Sequence, residues 1–575
     1  MLKLLRYLKP YRAAIALVFL LVFLQTLSDL YLPTLMADIV DKGIAHGNIP
    51  YIWKMGGLML LVAAVAVVFS VGASYWSAKI AMGFGKGLRG KVFTHVQNFS
   101  MQEFDQIGTA SLITRTTNDI TQIQQVLVMM LRMMIMAPLM AVGGIIMALS
   151  RDVTLSWVLV VALPVLAIMI VLVAAKGLPL FKSLQAKLDK LNLVVRENLT
   201  GIRVIRSFNR GEHEKQRFEG ANLDLTNTAI RVNKIMATMM PVMMLVMNFS
   251  TIAIVWFGGI RIDDGQMQVG DLMAFIQYAM QIMFSLIMLS MIFVMIPRAS
   301  ASAGRVNEVL QMEPQIKSTE NGKQANEQKG LVEFDQVTFY YPGAEKPALS
   351  DISFRSRPGE ITAIIGGTGS GKSTLVSLIP RFYDIQKGSI RINGVDIREL
   401  EQSELRAKIG LVPQKAVLFT GTIAENIRYG KEDATLEEVR HAAEVAQAAE
   451  FIGRLPEGLE APISQGGTNV SGGQKQRLSI ARALVRKPEI YLFDDSFSAL
   501  DYKTDAKLRA ALKQETGEAT VIIVAQRVST VIDADRIIVL DEGRIAGIGT
   551  HDELMTTSEV YREIVSSQLS EEEIA

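Results

Sequence analysis

The sequence predicts a polytopic α-helical transmembrane domain of six long helices fused to an α/β domain built around a phosphate loop. Hydrophobic residues make up 50% of the 575-residue chain, and mean hydropathy is +0.27. That excess is uneven. Before about residue 297, apolar runs such as Ala13–Leu24, Gly57–Val71, Val158–Ala175 and Phe284–Ile296 reach or approach the roughly 20 residues that cross a bilayer. From Leu331 onward the pattern is that of a water-soluble α/β domain, in which one apolar strand runs straight into a glycine-rich loop ending Gly371-Lys372-Ser373. The boundaries read as a membrane domain over 1–310, a linker over 311–330 and a nucleotide-binding domain over 331–575.

A net charge of +2 gives no electrostatic footprint for a nucleic-acid partner, and none is expected. Cysteine is absent, which excludes a disulfide framework and a thiolate metal site. Residues 1–12 alternate basic and apolar positions, so they read either as a short interfacial helix or as a positive flank to the first span. Lys3, Arg6, Lys9 and Arg12 precede that span with no small-residue cleavage site after it, so no cleavable leader is expected.

The six spans fall at 13–40, 51–80, 126–150, 155–176, 236–260 and 272–297. Connections on one side are short, at 41–50, Arg151-Asp152 and Arg261–Asp271. Those on the other side are long and basic. Residues 81–125 carry Lys86, Arg89, Lys91 and Arg115, and residues 177–235 carry Lys182, Lys187, Lys190, Arg196, Arg203 and Arg206 among others. The imbalance places both long connections and both termini in the cytoplasm. Few turn residues interrupt these connections, so the spanning helices are expected to continue well below the membrane. Thr109–Asp119 and Gly211–Arg217 read as their turns.

Residues 311–330 are polar and aperiodic, as a linker should be. Strands are then expected over Leu331–Phe339 and Ile361–Ile365. The second leads into Gly366-Gly367-Thr368-Gly369-Ser370-Gly371-Lys372-Ser373, with Thr374 next, which matches the phosphate-loop pattern in its strand–loop–helix context. Glycine amides wrap phosphates there, the helix N-terminus adds positive potential, and Lys372 is placed to neutralise the outer phosphate oxygens. Ser373 is a candidate Mg²⁺ ligand. A second apolar strand, Tyr491-Leu492-Phe493, ends in Asp494-Asp495. About a hundred residues beyond the loop, Val470-Ser471-Gly472-Gly473-Gln474 opens a helix with basic residues.

Taken with Gln414 at the end of an apolar strand, these motifs resemble those of ATP-binding-cassette (ABC) ATPases. A six-span half fused ahead of one cassette resembles an ABC exporter half-transporter over essentially the whole chain. The resemblance implies ATP and Mg²⁺ as cofactors. It implies Tyr341 as the aromatic that stacks on adenine, Gln414 as the residue that senses Mg²⁺ and the attacking water, and Asp494 as the Mg²⁺ carboxylate. Ser471, Gly472, Gly473 and Gln474 become the signature that closes on ATP held by a second subunit, and Ser498–Asp501 becomes a loop at that interface.

Two positions depart from the family pattern. Asp495 stands where the family has the Glu that polarises water, and Gln526 where it has a His that contacts the γ-phosphate. Gln465 also replaces a usual Glu. Such a pattern resembles the degenerate-site subunit of bacterial heterodimeric multidrug exporters, whose partner keeps the Glu and the His. The resemblance implies a chain that binds ATP well, hydrolyses it badly and supplies its signature to the partner. A homodimeric exporter, and a flippase for lipids or lipid-linked precursors, use the same scaffold and remain alternatives.

Polar residues inside spans mark a path for substrate, since they should face protein or a cavity. Arg132, Asn248, Gln277 and Gln281 are the candidates, with Asp29 beside them. Methionines crowd three spans, for example Met129, Met133, Met240, Met244, Met280 and Met288, and flexible thioethers suit a surface that accepts many apolar shapes. The expected cargo is a hydrophobic or amphipathic small molecule in contact with membrane lipid.

Overall fold

The computed structural model describes residues 2–317 and 329–568; the remainder of the expected linker lies outside the described residues. Contacts divide the chain into two units, Met1–Gln97 with Thr109–Met312, and Asn98–Gly108 with Glu313–Ala575.

The first unit is helical. After a 3₁₀ turn over Leu2–Tyr11 come α1 (Arg12–Asp38) and α2 (Ile49–Gln97). A short helix α3 (Met101–Ile107) belongs to the second unit. The first unit resumes with α4 (Thr109–Arg151), α5 (Trp157–Thr200), a one-turn helix α6 (Ile202–Ser207), α7 (Gly211–Asp263) and α8 (Val269–Gln311). Among the described residues six helices are long and apolar enough to cross a membrane, and all six expected spans fall on them. At ~1.5 Å per residue the 53 residues of α7 extend about 80 Å, far more than the ~30 Å hydrocarbon layer.

The turns of the two long connections differ from expectation. The helix restarts at Thr109, so the first turn is Asn98–Gly108 rather than Thr109–Asp119. The second turn is 201–210, built around α6, and Gly211–Arg217 is already the first two turns of α7. In both cases Gly closes or opens a helix. Gly108 takes φ 79° as the residue ending α3, and Gly201 ends α5.

Small residues set the packing inside this unit. A Cβ on Gly143 or Gly144 would lie 2.4 Å from Leu30 Cδ1 or 2.7 Å from Ile282 Cγ1, so the glycine pair lets α4 approach α1 and α8 closely. Gly85 leaves room for Gln124, which donates to Ala81 O at 3.2 Å and accepts from Arg89 Nη1 at 3.0 Å. Ion pairs fix both ends. Arg151–Asp271 and Arg261–Asp152, each 2.7 Å, join helix ends at the short connections. On the cytoplasmic extensions Asp119 accepts from Arg305 and from Ser302 Oγ (2.9 Å). Burial raises the Asp119 carboxyl, but those two donors outweigh it and hold it below the ordinary carboxylate range.

The second unit is the α/β domain. An antiparallel sheet comprises β1 (Val332–Phe339), β2 (Leu349–Ser356), β4 (Lys387–Ile392) and β5 (Val395–Asp396) in the order β2-β1-β4-β5. The larger sheet holds β3 (Ile361–Gly366), β6 (Ile409–Val412), β9 (Ile490–Asp494), β10 (Thr520–Val524), β11 (Arg536–Asp541) and β12 (Arg544–Gly549) in the order β12-β11-β3-β10-β9-β6. Residue pairs β7 (Gly421–Thr422) and β8 (Pro462–Ile463) form a third, minimal sheet. All neighbours in the larger sheet are parallel except the β11–β12 hairpin.

Both faces of this sheet are covered, which is why its strands read as continuous apolar runs. Val521 and Ile523 enter one core while Ile522 and Val524 enter the other, as the two-residue period of a strand requires. Truncating a fully buried member such as Leu492 to Ala is expected to cost about 2–5 kcal/mol. Rigid central strands therefore hold whatever follows their C-terminal ends.

Candidate nucleotide site and membrane path

Four adjacent parallel strands, in the order β3-β10-β9-β6, deliver the motif residues to one edge. Ligands of open α/β sheets bind outside the carboxyl ends of strands. β3 feeds the phosphate loop. Its Gly366 has φ 158°, and a Cβ there would lie 2.1 Å from Leu540 O, so no larger residue fits. Gly371 (φ 98°) caps α9 (Lys372–Leu378) in the left-handed region, with Ala348 O 2.9 Å from where a Cβ would be. Gly369 shares that region, at φ 84°.

Lys372 is buried and bridges two loop carbonyls, Gly366 O at 2.9 Å and Gly367 O at 2.7 Å. Burial lowers its pKa, opposed by Asp495 and Asp494. Ser370 Oγ is buried with no hydrogen-bond partner among the described residues, and Thr368 is exposed on the loop. An orphaned hydroxyl and a folded-back ammonium around glycine amides fit a phosphate chain. Ser373 Oγ donates to Asp494 Oδ1 at 2.9 Å. These two oxygen groups fit Mg²⁺, which characteristically takes one or two protein oxygens and completes its shell with phosphates and water. Thr374 Oγ1 is 3.0 Å from the hydroxyl of Tyr341, tying the aromatic to the helix behind the loop.

β9 and β10 run in register, with Val524 opposite Asp494, and Asp495 N donates to Val524 O at 3.0 Å. That register brings residue 526 beside residue 495. Gln526 Nε2 donates to Asp495 Oδ2 at 2.9 Å, and Gln414 Nε2, delivered by β6, reaches the same oxygen at 3.4 Å. Asp495 is buried, with φ 46°. Asp tolerates the left-handed region better than most residues, so the shorter acid is also an easy fit to this backbone. Burial raises the carboxyl pKa of both Asp495 and Asp494.

The signature opens α10 (Gly472–Leu484) on the surface. Ser471 Oγ accepts from Gln474 N at 3.3 Å while Gln474 Oε1 accepts from Ser471 N at 2.8 Å, a reciprocal cap. Gly472 has open space around it, whereas a Cβ on Gly473 would come 3.0 Å from Ala499 O. The signature thus packs against the Ser498–Asp501 loop, in which Ser498 Oγ donates to Asp495 O at 3.0 Å. An exposed helix N-terminus of this kind suits an anion. Gln465 is exposed, in a turn with Gly466 at φ 66°.

In the membrane unit the four path candidates are not gathered into one cluster. Gln281 Nε2 donates to Asp29 O at 3.2 Å, and its Oε1 is buried without a partner among the described residues. Arg132 is half-buried, and Asn248 and Gln277 are exposed on α7 and α8. Sequence reading passed over Tyr278, fully buried, whose hydroxyl bonds Thr34 Oγ1 at 2.8 Å and donates to Leu30 O at 3.1 Å. A polar aromatic in a span was the available signal. An apolar groove of about 860 Å³ between α5 and α7 was also unread, lined by Val158, Val161, Phe249 and Phe257 among others.

Residues 15–286 match the family model of the ABC transporter transmembrane region, and residues 349–498 match the ABC transporter family model. An uncharacterized ABC transporter ATP-binding protein of Mycobacterium tuberculosis is 44% identical over 98% of this chain and 97% of its own length. A Bacillus subtilis protein named, provisionally, as a multidrug export ATP-binding/permease protein is 32% identical over 98% of each chain. An ATP-dependent lipid A-core flippase of Pseudomonas fluorescens is 32% identical over 97% of this chain and 94% of its own. Among solved structures, a bacterial Atm1-family ABC exporter with ATP bound superposes with a TM-score of 0.81 at 27% identity, covering 98% of this chain and 99% of the other. The chain belongs to the ABC exporters: a multi-pass membrane protein whose six apolar helices are fused to a cytoplasmic, ATP-hydrolysing nucleotide-binding domain.

Proposed function

We propose that the chain exports hydrophobic or amphipathic compounds as one half of a heterodimeric exporter. It holds Mg²⁺-ATP at a site that hydrolyses slowly and lends its signature to the partner's working site. The observation that carries this reading is the double amide contact on one oxygen of Asp495, from Gln526 and Gln414. In phosphoryl transfer the protein contributes positioning and electrostatics, so a base must reach its water. A carboxylate one methylene short, with Oδ2 held by two amides, is drawn back from that task. Displacements of about an ångström cost about 10²-fold in rate. The phosphate loop, Ser373 and Asp494 carry no such change. Tyr341 would stack on the base, and the Ser471–Gln474 cap would bind the partner's ATP.

Purified alone, the chain is expected to turn over ATP poorly. With a partner bearing the Glu and the His, it should form a one-to-one complex with substantial activity. Robust ATPase from the chain as a pure homodimer would defeat the heterodimer reading. The name of the Pseudomonas fluorescens relative favours a second reading, lipid flipping on the same scaffold. ATPase stimulation by drugs against stimulation by lipids in defined liposomes separates the two.

A further inference from the structure

The first turn of the chain and the cytoplasmic stretch of α2 carry basic residues and no acidic ones. Residues 1–28 and 42–102 contain neither Asp nor Glu, whereas Lys3, Arg6, Lys9 and Arg12 precede the first span and Lys79, Lys86, Arg89 and Lys91 follow the apolar run of α2. The 3₁₀ segment Leu2–Tyr11 has two sides: Leu4 is fully buried, while Lys3, Arg6 and Lys9 are exposed. This segment lies against α2. A Cβ on Gly83 would come 2.5 Å from the Tyr11 hydroxyl, and Lys91 Nζ sits 4.2 Å from the centre of the Tyr7 ring. Arg6 Cζ is 4.9 Å from the same centre, and its Nη2 donates to the Tyr7 hydroxyl at 2.9 Å. Two exposed cations from distant parts of the chain therefore share one ring. Among the described residues neither is paired with a carboxylate.

An aromatic face holds an exposed cation only weakly, so two like charges at one ring still call for an anion. Their level in the fold names it. The apolar run of α1 starts at Ala13, directly after the 3₁₀ segment. On α2, Tyr75, Trp76 and Lys79, whose Nζ lies 4.8 Å over the Trp76 ring, form the aromatic and basic fringe at which a span leaves hydrocarbon. The anions concentrated at that level are lipid phosphates. We propose that Arg6 and Lys91, gathered on the Tyr7 ring, bind the phosphate of an anionic phospholipid of the cytoplasmic leaflet. The absence of acids selects the headgroup. A zwitterionic lipid brings an ammonium that no carboxylate of residues 1–28 or 42–102 can receive, whereas a phosphatidylglycerol-type lipid brings only negative charge. The exposed Lys9 and Lys86 add to the same field. A lipid held here ties the start of α1 to α2, whichever cargo the exporter carries.

The chain has no cysteine, so Leu8→Cys gives a single thiol beside Tyr7 for a bimane fluorophore. The full-length chain is reconstituted in phosphatidylcholine vesicles containing a minor fraction of lipid with brominated acyl chains, which quench bimane on contact. Brominated phosphatidylglycerol is expected to occupy the site about 25-fold more readily than brominated phosphatidylcholine. Arg6→Gln and Lys91→Gln should each lower that preference about fivefold, the effect of one basic residue near an anionic surface, and together bring it close to parity. Arg6→Lys and Lys91→Arg should keep it, since a charge at the ring suffices. Lys54→Gln, near the opposite end of α2, should leave it unchanged. Equal quenching by the two lipids overturns the proposal, as does a preference that survives both neutralisations. A preference that falls as far with Lys54→Gln would show a diffuse attraction to net charge and also overturns it. Loss of the preference in millimolar glycerol 3-phosphate would assign the site to a soluble phosphate and overturn the lipid assignment. Should Arg6→Gln fail to fold, Lys91→Gln, on a different element, decides alone.

Discussion

The phosphate loop and the corner holding Asp495 and Gln526 stand at the ends of neighbouring strands of one sheet, β3 and the β10–β9 pair, yet only the first matches the family pattern throughout. At the loop every position the chemistry needs is kept, down to glycines whose replacement would drive a Cβ to 2.1 Å from Leu540 O. At the corner two side chains differ from the family pattern, and the differences match one another: the shortened acid at 495 meets an amide at 526, 2.9 Å away. Binding a phosphate chain is mostly a backbone property, so it tolerates little. Hydrolysis is a property of two or three side-chain tips, which change without disturbing the fold. Under the proposed reading, the site loses turnover and keeps its ligand.

The largest effect should come from the side of the comparison that is intact. Lys372→Ala removes the cation within the loop and leaves the Gly366 and Gly367 carbonyls without their donor. Charge-assisted bonds are worth about 1.5–3 kcal/mol each, so ATP affinity at this chain should fall roughly 100-fold or more in equilibrium binding. Ordinary ATP affinity in this variant would break the contrast between the two regions.

Next comes the asymmetry of the complex with its partner. Ser471→Ala removes the cap hydroxyl of α10 and the oxygen offered to the partner's ATP. Steady-state ATPase should drop by about 10² if that oxygen stabilises transferring charge, as single donors to a developing anion do. Asp495→Asn should change the same rate less than about twofold, since the acid contributes little turnover under the proposed division. The reverse order of severity would reassign the working site to this chain.

A gain of function sharpens the same comparison. Asp495→Glu restores reach but meets Gln526, and Gln526→His frees the acid but leaves it short. The pair should raise turnover at this site about tenfold to a hundredfold, more than the product of the single effects, because the two side chains touch. Purely multiplicative effects in a double-mutant cycle would mean that the 2.9 Å contact does not restrain the carboxylate.

How much of this was legible beforehand follows the same division between backbone and tips. The six spans, the strand leading to Lys372 and the strand ending at Asp494 were readable because they rest on apolar runs and glycine spacing. The clamp on Asp495 was not, since it depends on the register that sets Val524 opposite Asp494. The turns were misplaced for a simpler reason. Thr109–Asp119 is polar and looks like a turn, but its threonines bond back to the preceding helical turn, Thr116 Oγ1 to Leu112 O at 2.8 Å and Thr117 Oγ1 to Ile113 O at 2.7 Å. The true turn was announced by Ser100-Met101-Gln102-Glu103, a capping box, and by Gly108.

The smallest effect tests whether the two carboxylates at the end of β9 belong to different regions at all. Burial raises the pKa of Asp494, and the neighbouring charge of Asp495 raises it further, against the hydrogen bond from Ser373 and the charge of Lys372. Mg²⁺ needs the ionised form of its carboxylate, so proton and metal compete for Asp494. The sign follows directly. With a raised pKa, Asp494 takes up its proton at a higher pH than a free aspartate, and Mg²⁺-ATP affinity should start to fall at correspondingly higher pH as the solution is acidified. Asp495→Asn removes the repulsive charge while keeping the side-chain size. The fall should then move to lower pH, by less than about one unit, a tenfold change in affinity at most within that window. Measured as the pH profile of Mg²⁺-ATP binding without turnover, an unmoved midpoint would show that the two acids do not sense one another. The corner would then be separate from the binding region in electrostatics as well as in chemistry.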